Sequence, residues 1–220
     1  FTVLGHSKGG NFAVYASMNV EEKIQNRIEK VYSFDSPGFR PEILESVDFN
    51  RMKDRIIKYL PHSSIFGVLL QSKENYQIVE CFSIGVLQHN PYNWQVDGNE
   101  FKKLDKLDRG SVFLSETYNE WLYGLNDEEL HAYSEIWYHI MQEANITTML
   151  EFTKEPGKTL TSLIDAIRET DDKTKEMAKE LARGLIEVAK ENLRYYAKKY
   201  IKVRGKKEEI EEETDAIVKR

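Results

Sequence analysis

The run Phe1-Thr2-Val3-Leu4-Gly5-His6-Ser7-Lys8-Gly9-Gly10-Asn11 decides how the rest of the chain is read. Residues 1–4 are largely apolar and read as a buried strand. Residues 8–18 read as a helix with small residues on its first turn. Between them, Gly5-His6-Ser7-Lys8-Gly9 fits the pattern G-x-S-x-G. A serine on a strand-to-helix turn sits in strained backbone, and its flanking positions must be small for strand and helix to approach each other. The turn lifts the hydroxyl above the sheet edge. It also puts the Lys8 N–H at the helix N-terminus, where it can donate to a developing oxyanion. The plainer alternative is a glycine-rich turn that happens to contain Ser. The strand before it and the helix after it favour Ser7 as a nucleophile. A phosphate loop is excluded, because Ser7-Lys8-Gly9 lacks the G-x-x-x-x-G-K-[ST] frame.

Outward from this turn, strands and helices alternate. An amphipathic stretch covers 21–28, and a short apolar strand covers 31–34, closed by Asp35-Ser36-Pro37-Gly38, a strong turn signal. A helix is expected over 41–47, with Pro41 near its first turn. Strands are expected over 55–60 and 76–82. Such alternation predicts a parallel, doubly wound sheet that binds ligands at the C-terminal ends of its strands. A strand at the first residue has no upstream sheet partner, which predicts that the chain is a piece of a longer protein. After Trp94 the character changes to helices over 112–125 and 127–144, rich in aromatic residues, with Asn126 as N-cap. From Thr159 onward a helical pattern carries Leu181, Leu185, Val188 and Tyr195 on one face, read as a packed helical pair or bundle. Residues 202–220 read as a charged, solvated helix or tail. The expected division is 1–110 for an α/β core, 111–201 for a helical region and 202–220 for the tail.

A serine hydroxyl needs a base within hydrogen-bond reach, and imidazole suits neutral pH. His131 and His139 fall on the later helices, and His6 adjoins Ser7 with its side chain expected to point away from the base's approach. His62 and His89 both follow strands. The chain order serine, acid, histidine favours His89, in a polar turn after an apolar stretch, with His62 as the alternative. The acid belongs at the C-terminal end of a strand. Asp35 is there, whereas Asp48 lies near a helix end and Asp54 precedes its strand. The competing role for Asp35 is an Asx-type turn residue bonding its own backbone.

The bulk numbers bound the rest. The chain has 220 residues, 40% hydrophobic and 31% charged, enough for one core with a helical appendage. A net charge of −6 argues against a nucleic-acid partner. The single cysteine, Cys81, fits a reducing compartment, here the cytoplasm. No apolar run reaches the roughly 18 residues of a membrane span. No metal or cofactor motif is present, no repeat is found, and nothing specifies an oligomeric state.

Four ordered segments resemble a known family: Gly5-His6-Ser7-Lys8-Gly9-Gly10-Asn11, Ser33-Phe34-Asp35-Ser36-Pro37-Gly38-Phe39, Pro61-His62-Ser63-Ser64-Ile65-Phe66-Gly67 and Gln88-His89-Asn90-Pro91-Tyr92-Asn93-Trp94. They are similar to the Mbeg-like proteins, mainly bacterial α/β-hydrolases similar to class three lipases. The resemblance runs from Phe1 to about Tyr200. It implies an α/β-hydrolase-type parallel sheet followed by a helical C-terminal region, with Ser7 as nucleophile and His89 as base. One departure stands out. Class three lipases usually carry the acid in a segment like Lys58-Tyr59-Leu60-Pro61, where this chain has Lys58, and they tend to have Gly where Asp35 stands. An acid moved to the preceding strand, at Asp35, is the expected arrangement. The implied chemistry is cleavage of an ester or acyl bond, in a small-molecule or lipid substrate, through an acyl-serine. The alternative is an inactive α/β-hydrolase scaffold serving as a binding module, suggested by the missing acid position and the charged helical C-terminus.

Overall fold

The structure, a computed structural model, describes residues 1–70, 76–145 and 156–218. It is an α/β protein built on a five-stranded sheet, with helices following. Strand β1 (Thr2–His6) leads into helix α1 (Lys8–Asn19), and a short α2 (Glu22–Gln25) returns the chain to β2 (Lys30–Phe34). Then come α3 (Pro41–Leu44), α4 (Val47–Met52), β3 (Ile56–Pro61) and β4 (Tyr76–Val79). The expected single helix over 41–47 is thus two short ones. Ser46 breaks it by taking the N-cap of α4, accepting the Phe49 N–H through its side chain. The expected strand over 76–82 stops at Val79, and the chain turns away. A small hairpin, β5 (Val96–Asp97) with β6 (Glu100–Phe101), follows, and β7 (Lys103–Leu104) joins the sheet edge. No two-residue strand of this kind was expected, since two residues leave no period to read.

The sheet order is β1-β2-β3-β4-β7. The first four strands pair in parallel, and only β7 runs antiparallel, against β4. Parallel pairing gathers the C-terminal strand tips at one edge, and three main-chain bonds carry the ladder past the strand ends. Ser7 N–H donates to Phe34 O (2.9 Å), Asp35 N–H to Tyr59 O (2.8 Å) and His62 N–H to Val79 O (3.0 Å). The residue just beyond each tip is therefore fixed in height against its neighbour.

One face of the sheet packs on the helices between strands. Val14 and Met18 of α1, Val31, Phe49 and Met52 of α4, and Ile56 form a single buried cluster. The other face carries an aromatic layer. Phe34 stacks on Tyr59 at 5.6 Å, and Trp94 and Phe101 meet edge-on at 5.4 Å above them. Alternate side chains of each strand serve the two faces, as the period of two requires.

Helix α5 (Arg109–Gly124) starts three residues earlier than expected, because Asp108 caps it by accepting the Ser111 N–H. Helix α6 (Asp127–Glu143) opens with a reciprocal capping box between Asn126 and Glu129. Helix α7 is Pro156–Glu169, and α8 runs from Asp172 to Val218. Ile136 and Ile140 of α6 bury against Ala166 of α7 and, from α8, Met177 and Leu181. Farther along α8, Asn192 bonds Glu120 and Thr117, and Tyr196 rather than Tyr195 turns inward, its ring against Phe113. Tyr195 is exposed. Trp121 is buried, flanked by Tyr118 and Tyr133, and Trp137 is half-exposed. Backbone helix extends through the charged stretch 202–220 as far as Val218, while 219–220 lie outside the described residues.

Candidate active site

Ser7 has φ 55° and ψ −133°, a conformation costing of order 1–3 kcal/mol for a residue with a side chain. It is the N-cap of α1, yet its hydroxyl makes no capping bond, so the oxygen is not spent on the helix. Gly10 and Asn11 N–H groups take the Ser7 carbonyl. Among the described residues, the Lys8 and Gly9 N–H groups have no backbone partner and remain as open donors of the first turn. The Lys8 side chain instead bonds Asn11 Oδ1 (3.1 Å). Buried Asn11 donates onward to Gly38 O (2.9 Å), tying the first turn of α1 to the segment after Asp35.

The tight spacing falls on Gly5 and Gly10. A Cβ on Gly5 would lie 2.2 Å from Gly9 O, and one on Gly10 would lie 1.9 Å from Ser36 Oγ. A Cβ on Gly9 would meet nothing within 4 Å. The expectation that both glycines flanking the serine pattern must be small is therefore corrected. The second constraint sits one residue later, because Gly10 rather than Gly9 faces the turn after β2.

Asp35 also has positive φ, 44°, and its carboxylate is fully buried. Oδ1 accepts Ser64 Oγ–H (2.5 Å) and Gly67 N–H (3.1 Å). Oδ2 faces His89 Nδ1 at 2.7 Å. The carboxylate accepts, so Nδ1 carries the proton and Nε2 presents a lone pair. That Nε2 is buried and has no hydrogen-bond partner among the described residues, and Ser7 Oγ is not bonded to it. The His89 ring lies between His6 and Phe66, with centroids 4.5 and 4.4 Å away. His6 therefore does not point away from the site as expected: its Nε2 donates to His89 O at 2.6 Å. Strand β1 ends at His6, so the residue before the serine grips the loop that carries the imidazole.

The structure thus brings Asp35 and His89 into direct contact and places both against the elbow through His6 and Asn11. His62, the alternative base, faces Gln88 instead, with His62 Nε2 3.5 Å from Gln88 Nε2. Gln88 Oε1 accepts the Ser63 N–H (3.0 Å), so this buried amide ties the β3 tip to the imidazole loop. Ser64, Phe66, Gly67 and Gln88 have no role assigned in the sequence; they stand only inside two of the segments that carry the family resemblance. A cavity of about 540 Å³ opens beside the elbow, lined by Lys8, Asn11, Phe39, Arg40 and Leu70 among others. A larger one, about 1120 Å³, sits at the sheet edge between Leu104, Arg109, Phe113 and Tyr196, and Ser7, Asp35 and His89 do not line it.

The profile of one protein family matches residues 1–139, which include Ser7, Asp35, Ser64, Gly67, Gln88 and His89. The chain belongs to the Mbeg1-like family. No curated protein and no solved structure matches the chain.

Burial, and then the neighbouring His89, hold the His6 imidazole below its ordinary value of 6.5. A lowered histidine pKa means that the unfolded chain binds the proton first as pH falls, so stability is full above 6.5 and declines below it. Urea midpoints measured between about pH 7.5 and about pH 5 should fall with acidification, and His6→Gln should flatten that slope. An unchanged slope in His6→Gln would remove His6 from the pH response.

Proposed function

We propose that this Mbeg1-like protein is a serine hydrolase of the α/β-hydrolase type that cleaves an ester or acyl bond through an acyl-Ser7 intermediate. The observation that carries this reading is the buried Asp35–His89 pair, whose unbonded Nε2 lies at the same sheet edge as the strained serine. Ser7 Oγ attacks the carbonyl carbon as its proton passes to His89 Nε2. The resulting imidazolium is stabilised by Asp35, and the oxyanion takes the open N–H of Lys8. Collapse expels the alcohol, which leaves with the proton from Nε2. Water, deprotonated by the same nitrogen, then releases the acid and restores Ser7. An unbonded Nε2 suits an unliganded site, where such bonds form or tighten only as substrate binds.

A fluorophosphonate probe should label Ser7, identified by peptide mass spectrometry, and Ser7→Ala and His89→Ala should lose the label. The second reading, a non-catalytic scaffold, is favoured by the same absent Ser7–His89 bond. A chain that stays unlabelled while folded would make that reading the right one. In either case the free thiol of Cys81, buried in the aromatic layer, fits a reducing compartment. Among the described residues, no helix is long and apolar enough to cross a membrane.

A further inference from the structure

The loop that carries His89 is inverted relative to an ordinary surface loop. Its ends are closed by the bridge between Cys81 and Trp94 and by Phe82 N–H to Asn93 O (3.0 Å), giving a compact Ω-type loop over 82–93. Two of its polar side chains point inward, Gln88 at 2% exposed and His89 at 6%, while Asn90 stays in solvent. Gln88 Nε2 donates to Ser83 O, and Asn93 Nδ2 to Leu87 O, so the loop's own amides hold it in shape. Its apolar side chains point outward: Phe82 is 78% exposed, Ile84 80% and Tyr92 97%, with Leu87 beside them. The sixteen residues 81–96 contain no Asp, Glu, Lys or Arg, in a chain that is 31% charged.

A loop that spends its hydrogen bonds internally and presents aromatic and aliphatic groups to solvent is shaped for an apolar medium. The nearest charges, Glu80 and Lys102 at the loop's base, pair with each other and leave the loop's outer surface without charge. Tyrosine with one wet end and one apolar end suits the boundary between headgroups and acyl chains. With no basic residue on the loop and a net charge of −6, attraction to anionic lipid is absent. We propose that loop 82–93 docks the protein on an uncharged lipid surface, from which an ester reaches the adjacent His89 and Ser7. The docking stands on the loop alone; the substrate class, an ester held in an uncharged lipid assembly, rests on the hydrolase reading.

The test is co-sedimentation of the protein with phosphatidylcholine vesicles. Wild type should partition to the vesicles, with no gain on adding anionic lipid and little loss in high salt. The double variant Phe82→Ser/Ile84→Ser should partition about tenfold less or weaker still, given two large apolar groups withdrawn from the lipid. Tyr92→Ser, at a nearly fully exposed position, supplies a second variant should the first fail to fold. Ser7→Ala should sediment like wild type, so a wild type that is never labelled counts against the hydrolase reading alone, and a wild type that never sediments counts against docking alone. Equal partition of wild type and the loop variants, or no partition by either, overturns the proposal. So does concentration-dependent self-association that the loop variants abolish, which would assign the patch to a second copy of the chain.

Discussion

Asp35→Asn should slow fluorophosphonate labelling of Ser7 by about 10⁴-fold, the size expected when the group orienting a catalytic imidazole loses its charge but keeps its shape. Hydrogen-bond direction sets the size of this effect. Ser64 Oγ–H and Gly67 N–H both donate to Oδ1 of Asp35, so an asparagine must keep its carbonyl oxygen on that side. Its NH2 group then faces His89 Nδ1, where the carboxylate oxygen now sits at 2.7 Å. Nδ1 would have to accept, the ring proton would move to Nε2, and the atom meant to take the serine proton would already hold one. Rates measured by stopped labelling and gel fluorescence, alongside a thermal melt showing the variant folded, check this. A labelling rate within a factor of a few of wild type would mean that Asp35 serves only its own turn.

The second large effect separates three glycines that look alike in sequence. Gly5→Ala and Gly10→Ala should each cost about 3 kcal/mol or more, since the added carbon meets backbone or a held side chain at under 3 Å on both partners. For a chain of this size that corresponds to a drop of roughly 6–12 °C in the unfolding midpoint. Gly9→Ala meets open space at the second position of α1, and removing a flexible residue from a helix gains about 0.5–1 kcal/mol. Its midpoint should hold or rise. Differential scanning fluorimetry of the three variants decides the matter. A Gly9→Ala as damaging as Gly5→Ala would mean that the helix and strand are closer there than the structure has them.

The elbow is legible in sequence because its demands are local. A strand pattern, a small-residue turn and a helix pattern adjoin one another within Phe1 to Met18, and each supports the next. Asp35 and His89 are legible for a related reason: each follows a strand in an order the fold constrains. What surrounds them is not. Ser64 and Gly67 hold the carboxylate because parallel pairing brings the β3 tip beside the β2 tip, a fact of register rather than of any short pattern. The direction of His6 is not a property of the turn alone. Its partner is His89 O, eighty-three positions away, and only the folded loop brings that oxygen within reach. Tyr195 and Tyr196 are adjacent and alike, so helical period alone does not choose between them over four turns. The fold class and helix caps follow from the letters; the side chains that steady the imidazole follow from strand neighbours.

The three main-chain hydrogen bonds that tie Phe34, Tyr59 and Val79 to the residues beyond the neighbouring tips have a bearing on how the chain can vary. They make the spacing of Ser7, Asp35 and His62 a property of the main chain, indifferent to which side chains fill the crossovers. Lengthening a crossover, for instance between Gly38 and Lys53, leaves that spacing intact. Deleting a single residue inside β2 would draw Asp35 back by about 3.3 Å and turn it to the opposite face of the sheet. Changes of length therefore belong in the connections and not in the rungs.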